Sequence, residues 1–219
     1  VRDVGRSGPP TASPAIRRTA GGAALSRWLY DLADGDPDRP AVLAADGVLS
    51  CAELASRASR LARLLIDRGC GPGIGVAVRL EYGAEPVPVV WAVLLAGAAV
   101  VPVPPGAPAG PYARVGITMA VAPAWLALDD PVVRAELAVR SARPVTHAVR
   151  RGILRGTDPA VVAAGACWSF DDLAVRAGRL GAAAPDCELR WAERDIAGRA
   201  SAVAAIAAAA NSGSTLVVI

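Results

Sequence analysis

Apolar residues along this chain recur with two periods, and the switches between them mark out its elements. Leu25, Trp28, Leu29 and Leu32 stand at helical spacing and predict a helix over 23–33, which Asp34-Gly35-Asp36-Pro37 ends. Residues 41–45 and Val48-Leu49 flank Asp46-Gly47, the composition of a tight hairpin. Ser50 precedes Glu53 by three, the spacing of a capping box, so a helix starts there. Leu54, Ala58, Leu61, Leu64 and Leu65 make its apolar face, while Arg57, Arg60, Arg63 and Asp67 point away. Gly69 and the Gly71-Pro72-Gly73 turn stop it, and a strand follows over 76–80. The next helix opens near Glu85-Pro86 and is apolar almost all round, through Val89, Val90, Val93, Leu94 and Leu95. Gly97 closes it, and 100–103 is a further strand.

Beyond Pro105 the pattern thins. A loop is expected over 106–111, helix and strand fit 112–121 equally, 124–128 reads as a short strand and 132–139 as a helix, and 147–166 carries little beyond Val161-Val162. A worn second copy of the first pattern then closes the sequence. Ser50, Leu54, Ala55, Arg57, Ala58, Arg60 and Leu61 recur 119 positions later as Ser169, Leu173, Ala174, Arg176, Ala177, Arg179 and Leu180. In that copy Ser169, with Asp172 three residues on, caps a helix that runs through Leu173, Ala177 and Leu180 and that Pro185 breaks. A strand over 188–192, an Ala-rich buried helix over 200–210 and a strand over 215–219 follow. Helices alternating with apolar strands predict a three-layer α/β protein with mostly parallel strands, in two pseudo-repeated halves. The expected organisation is a disordered arm over 1–22, rich in Gly, Pro, Ser and Arg, a first half over 23–145, and a second half over 146–219.

Composition narrows the chemistry. With 53% hydrophobic residues the chain has ample material for a core. Every one of its 23 basic residues is arginine, so no step that needs a lysine ammonium is open to these 219 residues. The net charge of +3 is spread among carboxylates with few aromatics nearby, which argues against nucleic acid as a partner. Four widely spaced cysteines and a single histidine argue against a metal site or a disulfide scaffold and point to reduced thiols in a cytoplasmic setting. The most membrane-like run, 88–103, is shorter than the ~20 residues that span a bilayer and carries proline near both ends, so no membrane partner is expected.

The stretch from Asp36-Pro37-Asp38-Arg39-Pro40-Ala41 to Val103-Pro104 resembles the start of the adenylate-forming enzymes: acyl-CoA synthetases, peptide-synthetase adenylation domains and luciferases. The residues that carry the likeness are Leu49-Ser50-Cys51-Ala52-Glu53-Leu54, Ala58-Ser59-Arg60-Leu61-Ala62, Gly71-Pro72-Gly73, Val76-Ala77-Val78, and the run from Ala92-Val93-Leu94-Leu95-Ala96-Gly97 to Pro102-Val103. The resemblance implies two pseudo-symmetric α/β halves and a Ser/Thr/Gly-rich loop, ending in lysine, that wraps the ATP phosphates. The nearest counterpart here is Asn211 followed by Ser212, Gly213, Ser214 and Thr215, after which Leu216, Val218 and Ile219 stand where the family pattern has glycine, proline and lysine. Ser212, Gly213, Ser214 and Thr215 are therefore candidate nucleotide-binding residues of a remnant phosphate turn for ATP or AMP. The competing reading makes them a helix-to-strand turn equivalent to Gly97-Ala98-Ala99, and the internal repeat favours it.

No catalytic or metal-binding residue stands out. His147 with Ser141 and Asp158 lacks the elbow of a hydrolase. Cys51 and Cys167 sit at the mouths of the repeated helices, where a helix dipole lowers a thiol pKa, but a buried small hydrophobe explains them as well. Asp171-Asp172 and Asp129-Asp130 read as helix-end carboxylates. No cofactor is required by any of these groups. The reading that follows is a truncated adenylation-domain-like protein, non-catalytic, that partners a complete ligase or a carrier protein, or forms a homodimer. The alternatives are half of a split adenylating ligase, and a protein that binds a nucleotide or acyl ligand.

Overall fold

Two hairpins, far apart in sequence, are built to the same plan. In the computed structural model the described residues are 21–80, 83–103, 118–119, 126–150, 152–163, 166–183, 189–191 and 196–218. The arm expected over 1–22 lies outside them but for its last two residues, which open helix α1 (Gly21–Gly35). The first hairpin is β1 (Pro40–Ala44) and β2 (Gly47–Ser50), and the second is β6 (Pro159–Ala163) and β7 (Ala166–Ser169). Each has the same irregularity after its leading proline, with Val42 opposite Leu49 and Val161 opposite Trp168. Each hands over to a helix by the same pair of backbone bonds: Cys51 N to Arg39 O and Ala52 N to Pro37 O in the first, Phe170 N to Asp158 O and Asp171 N to Gly156 O in the second. The second copy thus begins near Gly156, before the Trp168 at which the cap becomes visible in the sequence.

Helix α2 (Cys51–Asp67) leads through β3 (Ile74–Arg79) and α3 (Pro86–Ala96) to β4 (Ala99–Val103). Helix α5 (Phe170–Ala183) leads likewise through β8 (Leu189–Trp191) and α6 (Ile196–Ser212) to β9 (Leu216–Val218). The capping box predicted at Ser50 forms in full, Glu53 N donating to Ser50 Oγ and Ser50 N to Glu53. Ser169 and Asp172 reproduce it. Between the copies lie β5 (Thr118–Met119), within the stretch where helix and strand had fitted equally, and α4 (Pro131–Ala138).

The hairpins are exchanged between the copies. One sheet runs β2-β1-β9-β8 and the other β5-β3-β4-β6-β7, so each hairpin pairs with the last strand of the other copy. Val42 faces Leu216 in one parallel pairing and Val100 faces Val161 in the other. Among the described strands only the two hairpins are antiparallel. Helix α6 packs on β4 and β6 of one sheet and on β8 and β9 of the other, and α3 packs on β3 and β4. Val87 and Trp91 of α3, with Ile206 of α6, reach Val42 and Leu216 around a void of ≈ 10 Å³, space for about one water at most. The mixed α/β architecture expected from the pattern is present, with a helical layer between two sheets.

One local expectation needs correction. Residues 126–128 are not a strand: they run irregularly into a turn, with Asp130 N bonded to Ala127 O, and Asp130 then caps α4 through Val132 N. Within 147–166, Val161-Val162 are the centre of β6. On α5 Leu180 is 39% exposed, and Gly181 takes the inner position, where an added Cβ would stand 3.1 Å from Ser212 Cβ and 3.3 Å from Ala208 O. Helix α6 presents mostly alanine, and α5 lies close against it through that glycine.

Candidate functional site

Ser212, Gly213, Ser214 and Thr215 sit where α6 ends and β9 begins. Gly213 has φ +70, and Ser214 N reaches back to Ala209 O at 2.9 Å. At the end of α3, Gly97 has φ +83 and Ala98 N reaches Val93 O at 3.1 Å, the same left-handed helix stop. Ser212 Oγ bonds Ala208 O and lies 2.8 Å from Ser214 Oγ, while Thr215 Oγ1 donates to Pro40 O at 2.8 Å. Both serines and the threonine therefore have partners within the protein. The turn also lies at the carbonyl end of α6, the negative pole of its dipole, which disfavours an anion there.

Arg39 is the side chain that ties this turn to the rest of the fold. It extends from the segment just before β1, and its Nη1 donates to Gly213 O. It also touches Cys51. Trp28, Asp31, Leu32, Gly35 and Asp36 of the α1 end face it, with Asn211 opposite, around an open groove of ≈ 340 Å³. Sequence reasoning had no reason to single out Arg39, because its partners stand far along the chain.

The other candidates do not converge. Burial pushes the Cys51 thiol above its ordinary value, with Arg39 pulling the other way, so its position at a helix mouth does not activate it. Burial raises Cys70 likewise. Cys167 is exposed at a sheet edge, and Cys187 lies outside the described residues. His147 is exposed and Asp158 accepts from Arg155 N, closing a local turn. Hydrogen bonds from the Ser169 side chain and backbone hold the Asp172 carboxyl below its usual range, as a cap would. Among the described residues no group of His, Cys, Asp and Glu has the make-up of a metal centre, and no helix is long and apolar enough to cross a membrane. Arg150, which donates to Leu95 O at 2.7 Å and to Ser26 Oγ at 2.6 Å, is a half-buried tether that the sequence did not announce.

The α/β fold described is shared with solved adenylation domains. The nonribosomal peptide synthetase FmoA3, with α-methyl-L-serine-AMP bound, superimposes with a TM-score of 0.65 at 23% identity, over 95% of this chain and 24% of that one. The N-terminal subdomain of Klebsiella oxytoca NpsA, in complex with 3-hydroxybenzoyl-AMSN, gives 0.63 at 16% identity, over 95% of this chain and 56% of that one. Residues 29–153 match the family model of the AMP-binding enzymes, and the chain belongs to that family. Tyrocidine synthase 3 of Brevibacillus parabrevis is 42% identical over 94 residues, which is 41% of this chain and 1% of that protein. The chain thus spans a small part of the length of such relatives.

Proposed function

We propose that these 219 residues act as the frame of an adenylation domain without performing adenylation themselves, in association with a complete ligase or a carrier-protein system. The observation that carries this reading is the use of the turn at 212–215: its hydroxyls are bonded internally and it stands at the carbonyl end of α6. The absence of lysine from these residues supports it, because the phosphate loop that the family resemblance implies carries a lysine. The close packing of Val42, Trp91, Ile206 and Leu216 supports it too, the void between them being ≈ 10 Å³. We infer that Ser212, Gly213, Ser214 and Thr215 are a structural turn. The whole reading is tested by ATP–pyrophosphate exchange with a panel of amino and aryl acids: the chain alone is expected to give no exchange, and exchange by the purified chain would overturn it.

A second reading, half of a ligase completed in trans, is favoured by the intact two-sheet frame, which a partner could complete without refolding it. It predicts that exchange appears when a complementary catalytic half is added to the chain. The two readings part on that addition alone.

A further inference from the structure

The open groove of ≈ 340 Å³ beside Arg39 lies between the ends of α1 and α6. Trp28, Asp31, Leu32 and Gly35 stand at i, i+3, i+4 and i+7, so they share one face of α1, and Asp36 follows just beyond its end. Ala210, Asn211 and Gly213 line the other wall. The carbonyl ends of two helices thus meet at one place, each the negative pole of its dipole, and neither helix has a basic residue in its last turn. Asp31 and Asp36 add two exposed carboxylates, which no ion pair engages among the described residues. Carboxylates at the carbonyl end of a helix oppose its dipole, so they weaken α1 unless a cation joins them. Arg39, the cation of the lining, is spent on Gly213 O and on the Cys51 side chain.

Other helix ends in the chain show what such a place holds. Arg150 donates to Leu95 O in the last turn of α3, and Arg60 to Leu137 O and Ala138 O at the end of α4. Arg176 lies 4.4 Å over the Trp168 ring, so the chain also seats a guanidinium on an indole. We propose that the groove between α1 and α6 binds a guanidinium group, laid against the half-buried Trp28 ring and paired with Asp31 and Asp36. A guanidinium is planar and weakly hydrated, so its face stacks on an indole while its edge donates to carboxylates; an ammonium is a compact, strongly hydrated point charge. The groove is near the small end of the ~300–1,000 Å³ of ligand sites, room for one such group and its alkyl stem. The carrier is an arginine side chain of a polypeptide or a small alkylguanidine. Binding there does not depend on whether the chain adenylates, so this site and the pyrophosphate-exchange result are judged separately.

The test titrates the full chain, at constant ionic strength, with n-propylguanidinium, n-propylammonium and the blocked peptide acetyl-Gly-Arg-Gly-amide. The indole N–H resonance of Trp28 is the readout, assigned among the five tryptophans by its loss in Trp28→Phe. A saturable shift is expected with n-propylguanidinium, at least threefold tighter than with n-propylammonium. Asp31→Asn and Asp36→Asn should each weaken it at least fivefold, and Asp34→Asn, outside the lining, less than twofold. All three carboxylates are exposed, so the variants keep the fold. Equal saturation by the peptide assigns the guanidinium to a polypeptide, and its exclusion assigns it to a small molecule. No saturable shift of Trp28, equal binding of the ammonium, or equal losses in all three aspartate variants would overturn the site.

Discussion

At the scale of single residues, the fold is held by arginines that reach backbone carbonyls. Arg39 on Gly213, Arg150 on Leu95, Arg60 on the last carbonyls of α4 and Arg63 on the segment after it all join segments distant in sequence. The planar guanidinium spreads several donors from one side chain, which suits a carbonyl cluster. Replacing Arg39 with methionine keeps most of the stem but leaves the Gly213 carbonyl without its donor. A loss of about 1–3 kcal/mol is expected, read as a lowered Tm, without change of the overall fold. The thiols make a separate prediction. Cys51 and Cys70 ionise above their ordinary value because they are buried, so the unfolded state releases their protons first as pH rises. Their contribution to stability is complete at neutral pH and falls away above roughly pH 8.5, towards the raised native values. In native labelling with iodoacetamide, mass spectrometry should find Cys167 modified well before Cys51 or Cys70; early modification of Cys51 would contradict the packing described. Asp172 behaves in the opposite sense: its folded-state pKa is depressed, so its contribution holds above the ordinary carboxylate range and is lost as pH falls through the native value.

At the scale of elements, the contact of α5 with α6 depends on which of two nearby glycines is considered. Gly178 meets nothing within 4 Å, so Gly178→Ala removes the helix penalty of glycine and should stabilise by about 0.5–1 kcal/mol. Gly181 faces Ser212 and the α6 backbone, and Gly181→Val should cost about 1–3 kcal/mol by forcing the helices apart. Urea denaturation of both variants checks the pair. The same helix shows what the sequence did and did not disclose. Caps and apolar periodicity located α2, α3, α4 and α5 closely, because those signals are local. The spacing of Leu173, Ala177 and Leu180 marks the helix but not its inward side, which Gly181 takes against the mostly alanine α6. The hairpin β6–β7 was missed although Pro159-Ala160-Val161 repeats Pro40-Ala41-Val42 at the same interval as the helix match. Short strands give few periods to count, and that tripeptide was the available signal. The turn at 212–215 was legible as chemistry or as punctuation, and only the hydrogen-bond partners, which stand elsewhere in the chain, separate the two.

At the scale of the whole molecule, neither copy completes a sheet from its own strands. Val42 and Leu216 are neighbours in one sheet, Val100 and Val161 in the other, and α6 touches both sheets. Unfolding one copy removes the partner strands of the other, so the transition should be single and cooperative. Val42→Ala and Val161→Ala lie in different sheets, and each should lower stability by about 1–3 kcal/mol while fluorescence and far-UV circular dichroism still trace coincident curves. Two separable transitions would show that the exchanged hairpins do not couple the sheets. Such long-range pairing also slows folding relative to a chain of local contacts.

The exchange has a consequence for biosynthesis. When β1 leaves the ribosome its parallel neighbour β9 has not been translated, and at ~5–20 residues per second the wait is on the order of ten seconds or more. During that interval the nascent β1–β2 ribbon offers an open strand edge and an uncovered apolar side to the cytosolic holdases that patrol newly made polypeptides. Rare codons placed before β9 would prolong the exposure, and swifter decoding of that stretch would shorten it.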